Sequence, residues 1–379
     1  MDQISPELLF NFLSENGINF YTGIPDSLLK EFNNVITHKS SKENHIIPSN
    51  EGSSIALATG YYLSTKKIPI VYMQNSGFGN GVNPLMSLAS PGVYSIPMII
   101  FVGWRGEPGI ADEPQHMTQG GCMVELITSL GINMDILPQN QSDADALLKN
   151  IIEKVTLNLS PHIILVKKNT FSKYYNPTLI TNTYELYRKE TIDITYGMFS
   201  NDIILSTTGK ISRELLENTL EHKSSTNNIF MNVGAMGHVS MIGLGIAKNT
   251  TKRVVCFDGD GSVLMHMGNL ATIGSSGVSN MVHIVLNNGM HESVGSQKTD
   301  AFDINLAKIA KYNGYENSFC VKKRDDLIDL LNLIRSNEIT GLIFIEIRIN
   351  NSQQYSHELM RPQDTPVERK DKFMEFIES

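Results

Sequence analysis

The stretch Phe257–Asn288, FDGDGSVLMHMGNLATIGSSGVSNMVHIVLNN, decides how the chain is read. It opens as the apolar run RVVCF (253–257) ends, and it closes as the apolar run MVHIVL (281–286) ends. Both runs are short and rich in β-branched residues, the pattern of strands buried on both faces. GNLATIGSSG (268–277) between them reads as a crossover helix. A strand, a helix and a second strand make neighbouring strands parallel. Asp260 and the pair Asn287, Asn288 then lie at one edge of one sheet. Gly259 and Gly261 let the backbone approach a ligand closely. Ser262 is expected to begin the helix, whose first N–H groups suit an anion. One carboxylate and one amide oxygen are hard ligands for Mg²⁺ or Ca²⁺. So few protein donors make sense if a diphosphate supplies further oxygens.

The same design extends outward. In the second half, DIILST, NIFMNV and GLIFIEIRI read as further strands, and SRELLENTL and DDLIDLLNLIRS as helices. In the first half, HIIPS, PIVYMQ, PMIIFV and HIILVK read as strands. EGSSIALATGYYLS and DADALLKNIIEKV read as helices between them. A leading helix is expected after Ser5 as N-cap, with Pro6 in its first turn and Gly17 at its end. The polar, Tyr-rich segment 171–190 breaks the pattern and reads as a linker. The expectation is an α/β protein with two mainly parallel sheets flanked by helices: a domain at 1–170 and another at 191–379. Ligands of such sheets bind beyond the carboxyl ends of the strands.

Composition narrows the function classes. With 379 residues, 41% apolar and 18% charged, the chain is globular and long enough for two cores. A net charge of −8 argues against nucleic-acid binding, which calls for a basic face. It does not exclude a small anionic substrate in a locally positive pocket. Cys122, Cys256 and Cys320 are far apart and read as reduced packing residues. No signal peptide or membrane span is evident, so a soluble cytoplasmic protein is expected.

GDG, 25 residues and then Asn-Asn resembles the thiamin diphosphate motif of the 2-oxo acid decarboxylases and their relatives. The resemblance implies that Asp260 and Asn288 bind a divalent cation, Mg²⁺ or another, through their side chains. The backbone carbonyl of Met290 would complete the protein's share, and Asn287 would support the turn. It also implies a pyrimidine-binding first domain that carries a glutamate. PSNEGSSIALATGYYL supplies Glu51, after a strand and before a helix. The segment NVGAMGHVSMIGLGIA matches the family's wedge beneath a bent cofactor, with Met236 as the wedge and Gly234 and Gly237 beside it. STTGKISRE could add diphosphate contacts through Thr208 and Gly209, next to Gly261 and Ser262. Glu51 would exchange a proton with the cofactor's pyrimidine ring. In the family, the two domains that meet at one cofactor belong to different subunits, so a homodimer or higher homo-oligomer with active sites at the subunit interface is implied.

The chain has no room for the middle domain of larger relatives. Its compact build is similar to the phosphonopyruvate and sulfopyruvate decarboxylase branch. QNSGFGNGVNPL, GWRGEPGIADEPQHMTQG and NNGMHESVGSQ look like the phosphonopyruvate enzymes, with sulfopyruvate as the alternative substrate. A small anionic 2-oxo acid needs directed donors. Arg105 and Lys298 are candidates, with Asn75, Ser76, Gln119 and Glu292 as further polar groups. Asp26, His116 and His291 are expected in the active site, a histidine being suited to proton transfer near neutrality. Plain structural roles compete: Asp26 could cap the helix after GIPDS, and Arg105 could pair with Glu107 or Asp112. A nicotinamide enzyme would need GxGxxG after a strand, and GFGNGVNPL lacks the last glycine. A non-catalytic binding protein would not need Glu51, Asp260 and Asn288 together.

Overall fold

The computed structural model describes residues 3–175, 182–351 and 358–379. The chain divides into two compact units. One is Met1–Leu179 with His291–Gln297; the other is Ile180–Met290 with Lys298–Ser379.

The first unit is built on a six-stranded sheet. Its strands are β1 (Tyr21–Gly23), β2 (His45–Ile46), β3 (Ile70–Gln74), β4 (Ile99–Gly103), β5 (Asn133–Ile136) and β6 (His162–Val166), in the spatial order β2-β1-β3-β4-β6-β5. All five pairings are parallel. β4 and β6 are fully buried, as the apolar runs IIFV and IILV within them require. The leading helix Pro6–Glu15 starts where Ser5 accepts from the Leu8 N–H, and Gly17 takes φ +81° just beyond it. Phe171 pairs with Ile4 as a parallel bridge and stacks on Phe32 with ring centroids 5.7 Å apart.

The second unit repeats the plan. Its strands are β7 (Ile203–Ser206), β8 (Ile229–Met231), β9 (Val254–Gly259) and β10 (Met281–Asn287); then, after the short pair β11 (Met290–His291) and β12 (Gln297–Lys298), whose residues His291 and Gln297 count with the first unit, β13 (Asn317–Val321) and β14 (Ile343–Arg348). The main sheet runs β13-β14-β10-β9-β7-β8, again all parallel. Two apolar layers cover its faces. One includes Leu215, Phe257, Ile284 and Leu331, the other Val239, Leu270, Phe344 and Phe373. Phe373 lies on the closing helix Pro366–Glu378, which Thr365 and Glu368 start with a reciprocal capping box.

Every strand expected from the sequence is present. β1, β5, β13 and the short pair β11 and β12 were not expected. Residues 176–181 of the expected linker lie outside the described residues, and the helix Arg188–Phe199 begins within its last three positions. Asp260, not Ser262, is the first residue of the helix after β9, which runs only to Met265. The crossover helix itself is shorter than expected, Asn269–Gly274.

Candidate active site

In the second unit, the β9–β10 register sets Leu286 opposite Gly259. Asp260 and Asn287 therefore emerge side by side at the carboxyl edge. Asp260 is buried, and the Thr299 hydroxyl donates to its Oδ2 at 2.6 Å. Burial pushes its carboxyl up to about 6, against the hydrogen bonds from Thr299 and from the Gly261 and Gly289 amides. Among the described residues no Lys, Arg or His forms an ion pair with it. A buried carboxylate without a cationic partner fits a site for a cation.

Asn287 Oδ1 accepts from Gly289 N–H at 3.1 Å, and Asn288 Oδ1 accepts from Met290 N–H at 3.2 Å. These bonds form a tight turn through Gly289, which has φ +71°. A Cβ on Gly289 would also lie 2.5 Å from the Phe302 ring, so only glycine serves there. Thr299 N–H bonds Gly289 O at 2.9 Å, so one threonine holds both the turn and Asp260.

The neighbouring strand ends join this edge. Asn232, just beyond β8, folds the Met236 loop by donating to Ala235 O at 2.6 Å. Ser262 Oγ accepts from Gly237 N–H at 3.0 Å and from the Thr207 hydroxyl at 3.2 Å. Asn269 donates to Gly237 O at 3.0 Å, and Thr208 to Val233 O at 3.1 Å. Thr208, Met236, Gly237, Gly261 and Ser262 thus share one edge, with Met236 half-buried. Gly209, at φ +96°, has open space where a Cβ would stand, and leads into the helix Lys210–Glu221. The Lys298 ammonium pairs with exposed Asp303 at 2.6 Å.

In the first unit, Glu51 is the first residue of the helix Glu51–Thr65, whose cap Asn50 accepts from Ser53 N–H at 2.9 Å. It is 4% exposed, and Asn80 Nδ2 donates to its Oε2 at 2.8 Å. Burial raises its pKa; the Asn80 bond opposes this. Gly77 makes room for it, since a Cβ there would lie 1.9 Å from Glu51 Oε1.

Asp26 is fully buried against Gly103. It accepts from the Leu28 and Leu29 amides at 2.9 and 3.2 Å and from Gln74, which in turn accepts from the Ser76 hydroxyl at 2.6 Å. Burial again raises this carboxyl. Asp26 thus braces the bend before the helix Lys30–Lys39 and is also a buried acid. Asn75 and Arg105 bond reciprocally, Nδ2 to Arg105 O at 2.8 Å and Arg105 N–H to Oδ1 at 3.1 Å. The Arg105 guanidinium grips Asp112 with Nε and Nη2, and Nη1 donates to Ser27. Of the two pairings left open by the sequence, Asp112 is the one formed; Glu107 pairs with Lys167 at 2.5 Å.

On the helix Pro114–Gly121, Gln115 Oε1, His116 Nδ1 and Gln119 Oε1 are buried without a hydrogen-bond partner among the described residues. Burial, then the Arg105 charge, lowers the His116 pKa. His291 is half-buried, and desolvation lowers it to about 4; Glu292 beside it is also half-buried. Among the described residues no cluster of three or more His, Cys, Asp or Glu could hold a metal. The residues expected from the sequence to hold a cation, Asp260, Asn288 and Met290, offer instead one carboxylate, one amide oxygen and one backbone carbonyl.

Residues 6–126 match the N-terminal, and residues 207–347 the C-terminal, thiamine pyrophosphate-binding domain of the thiamine pyrophosphate enzymes. A phosphonopyruvate decarboxylase of Streptomyces viridochromogenes is 31% identical, covering 95% of this chain and 92% of that one. The chain belongs to the thiamin diphosphate-dependent 2-oxo acid decarboxylase family. A second phosphonopyruvate decarboxylase, of Streptomyces hygroscopicus, is 30% identical, covering 95% of this chain and 90% of that one. A sulfopyruvate decarboxylase of Methanosarcina acetivorans is 26% identical, covering 91% and 92% respectively. The N-terminal match contains Glu51, and the C-terminal match contains Asp260, Asn288 and Met290. Sequence reasoning did not find Asn80, Gln115, Asn232 or Thr299. Asn80, Asn232 and Thr299 are ordinary polar residues whose partners are chosen by the fold, and Gln115 is one whose burial is. No helix among the described residues is long and apolar enough to cross a membrane.

Proposed function

We propose that this chain decarboxylates 3-phosphonopyruvate to phosphonoacetaldehyde and CO2, using thiamin diphosphate and Mg²⁺, as a step of phosphonate biosynthesis in the cytoplasm. One observation carries the choice of substrate. The two relatives at 31% and 30% identity are phosphonopyruvate decarboxylases, against 26% for the sulfopyruvate enzyme. Sulfopyruvate is the alternative, because that relative is matched over as much of its length as the phosphonopyruvate enzymes are.

Asp260 and Asn288 side chains and the Met290 carbonyl are assigned to the cation. Thr208, Gly209, Gly234, Gly237, Gly261 and Ser262 are assigned to the diphosphate, and Met236 to the support beneath the rings. When bound, the thiazolium ring of the cofactor supplies the electron sink that decarboxylation needs. Glu51 would hold, at its carboxyl, the proton exchanged with the pyrimidine side of the cofactor. Its raised pKa suits that task, because a group that shuttles a proton works best near the operating pH. Burial lowers the pKa of both His116 and His291, which favours the neutral imidazole that can hold or pass a proton at a ring nitrogen. The buried, unpartnered atoms of Gln115, His116 and Gln119 are in the state expected of groups whose partner is a ligand. Asp26, Asn75, Ser76 and Glu292 are assigned to the same polar surroundings. Arg105 acts there through its charge, its fork being occupied by Asp112. A homodimer or higher homo-oligomer is proposed, with Glu51 of one chain serving the cofactor held by Asp260 of another.

The test supplies thiamin diphosphate and Mg²⁺ with phosphonopyruvate, sulfopyruvate or pyruvate, and measures CO2 release. Preference for phosphonopyruvate is expected. Preference for sulfopyruvate selects the alternative, and no release from any of the three removes the reading. Glu51→Gln is expected to abolish release while keeping the fold.

A further inference from the structure

Glu346 stands in the middle of β14, IFIEIR, with 0% exposure. A carboxylate inside an apolar sheet is costly unless every lone pair is engaged. Both of its oxygens are. Asn287 Nδ2 donates to Oε1 at 2.9 Å and Arg348 Nε at 3.0 Å, while Ala307 N–H reaches Oε2 at 3.3 Å. The parallel register sets Val285 opposite Glu346 and Asn287 opposite Arg348, so the carboxylate reaches the last residue of β10.

Asn287 is itself fully buried, and its Nδ2 also donates to Ala301 O at 3.3 Å. With Nδ2 held by two acceptors, Oδ1 is the atom left to receive Gly289 N–H. The flipped amide would set donor against donor at Gly289 and acceptor against acceptor at Glu346. Glu346 therefore decides which way the amide points, and the amide decides the shape of the turn. Arg348 neutralises the carboxylate, donates to Ile304 O at 3.0 Å and lies 5.4 Å over the Phe302 ring. That ring is the one packed against Gly289.

We propose that Glu346 is a positioning residue for the cation-binding turn. Through Asn287 it holds residues 287–290 in shape, so that the Asn288 side chain and the Met290 carbonyl are placed before a cation arrives. This rests on the assignment of those two groups to the cation.

Mg²⁺-dependent binding of thiamin diphosphate is measured by calorimetry, without substrate, on the full chain. Wild type is compared with Glu346→Gln and with the double variant Glu346→Leu, Arg348→Met, which removes the ion pair as a unit and keeps the test alive if Gln does not fold. Both variants are expected to need about tenfold more Mg²⁺ for half-saturation, as when partners behind metal ligands are lost, and excess Mg²⁺ is expected to restore turnover. Folded variants with wild-type Mg²⁺ half-saturation overturn the proposal, even if their melting temperature falls. Wild type that binds the cofactor without needing Mg²⁺ overturns the cation assignment itself, and the proposal with it.

Discussion

The side-chain amide of Asn80 donates to Oε2 of Glu51 at 2.8 Å. Burial pushes this carboxyl above its ordinary range and Asn80 pulls it down. Because the folded value is raised, the folded state keeps a proton that the unfolded state has lost just above pH ~4.3. Glu51 therefore makes stability fall as pH rises through that window. Asn80→Ala removes the downward pull, so Glu51 ionises at higher pH still. Turnover at neutral pH is expected to drop about tenfold, from the ~1.5 kcal/mol of a hydrogen bond to a charged group. Superimposable pH–rate profiles of variant and wild type contradict this.

Gly77 lies against the same carboxylate. Its backbone has no left-handed strain, so the effect of Gly77→Ala is steric: the new methyl would stand 1.9 Å from Oε1. Overpacking of this kind costs about 1–3 kcal/mol of stability, and turnover should fall much more than the melting temperature suggests. Equal activity of Gly77→Ala and wild type, assayed on folded protein, excludes a tightly placed Glu51.

Thr299 ties Asp260 to the turn at Gly289. Thr299→Val keeps the shape and removes the hydroxyl. The Mg²⁺ needed for half-maximal activity is expected to rise roughly threefold to tenfold, the equivalent of one hydrogen bond. Thr299→Ser should restore it. A Val variant with unchanged Mg²⁺ dependence shows that the hydroxyl is dispensable.

Burial pushes Asp112 up, but the Arg105 guanidinium and the Glu113 and Gly106 amides outweigh it and hold the carboxylate well below its usual range. A lowered folded pKa stabilises above the unfolded value, and that stability is lost as pH falls through the folded one. Asp112→Asn should therefore be less stable than wild type at pH 7, with the gap closing below pH ~4. Urea unfolding at pH 7 and pH 3 checks this, and a gap that does not narrow in acid refutes the ion-pair account.

Central strands were legible because burial on both faces writes an apolar run. β1 is only Tyr-Thr-Gly, while β5 (NMDI) and β13 (NSFCV) are edge strands with half-open faces, so none of the three carries that signature. The pairing of Asp260 with Asn287 was legible because one strand–helix–strand unit contains both. The braces were not. Asn80 is 29 residues from Glu51, Thr299 is 39 from Asp260, and Glu346 is 59 from Asn287. Those pairings depend on which strands become neighbours, and spacing does not encode it. A signal was present at Glu346, an acid inside an otherwise apolar strand. Arg105 shows the opposite case, where a local partner named from the sequence, seven residues on, is the one the fold uses.

All ten pairings in the two large sheets are parallel. No tight turn can therefore zip any of them locally. β1 meets β3 only when Tyr21 finds Ile70, and β10 meets β14 only when Val282 finds Ile343. The chain must close these long loops before the contacts return anything, which makes for slow folding and a prolonged exposure of apolar strands during synthesis. The architecture that gathers distant residues at one sheet edge is thus also the source of the chain's main aggregation hazard on the way to the native state.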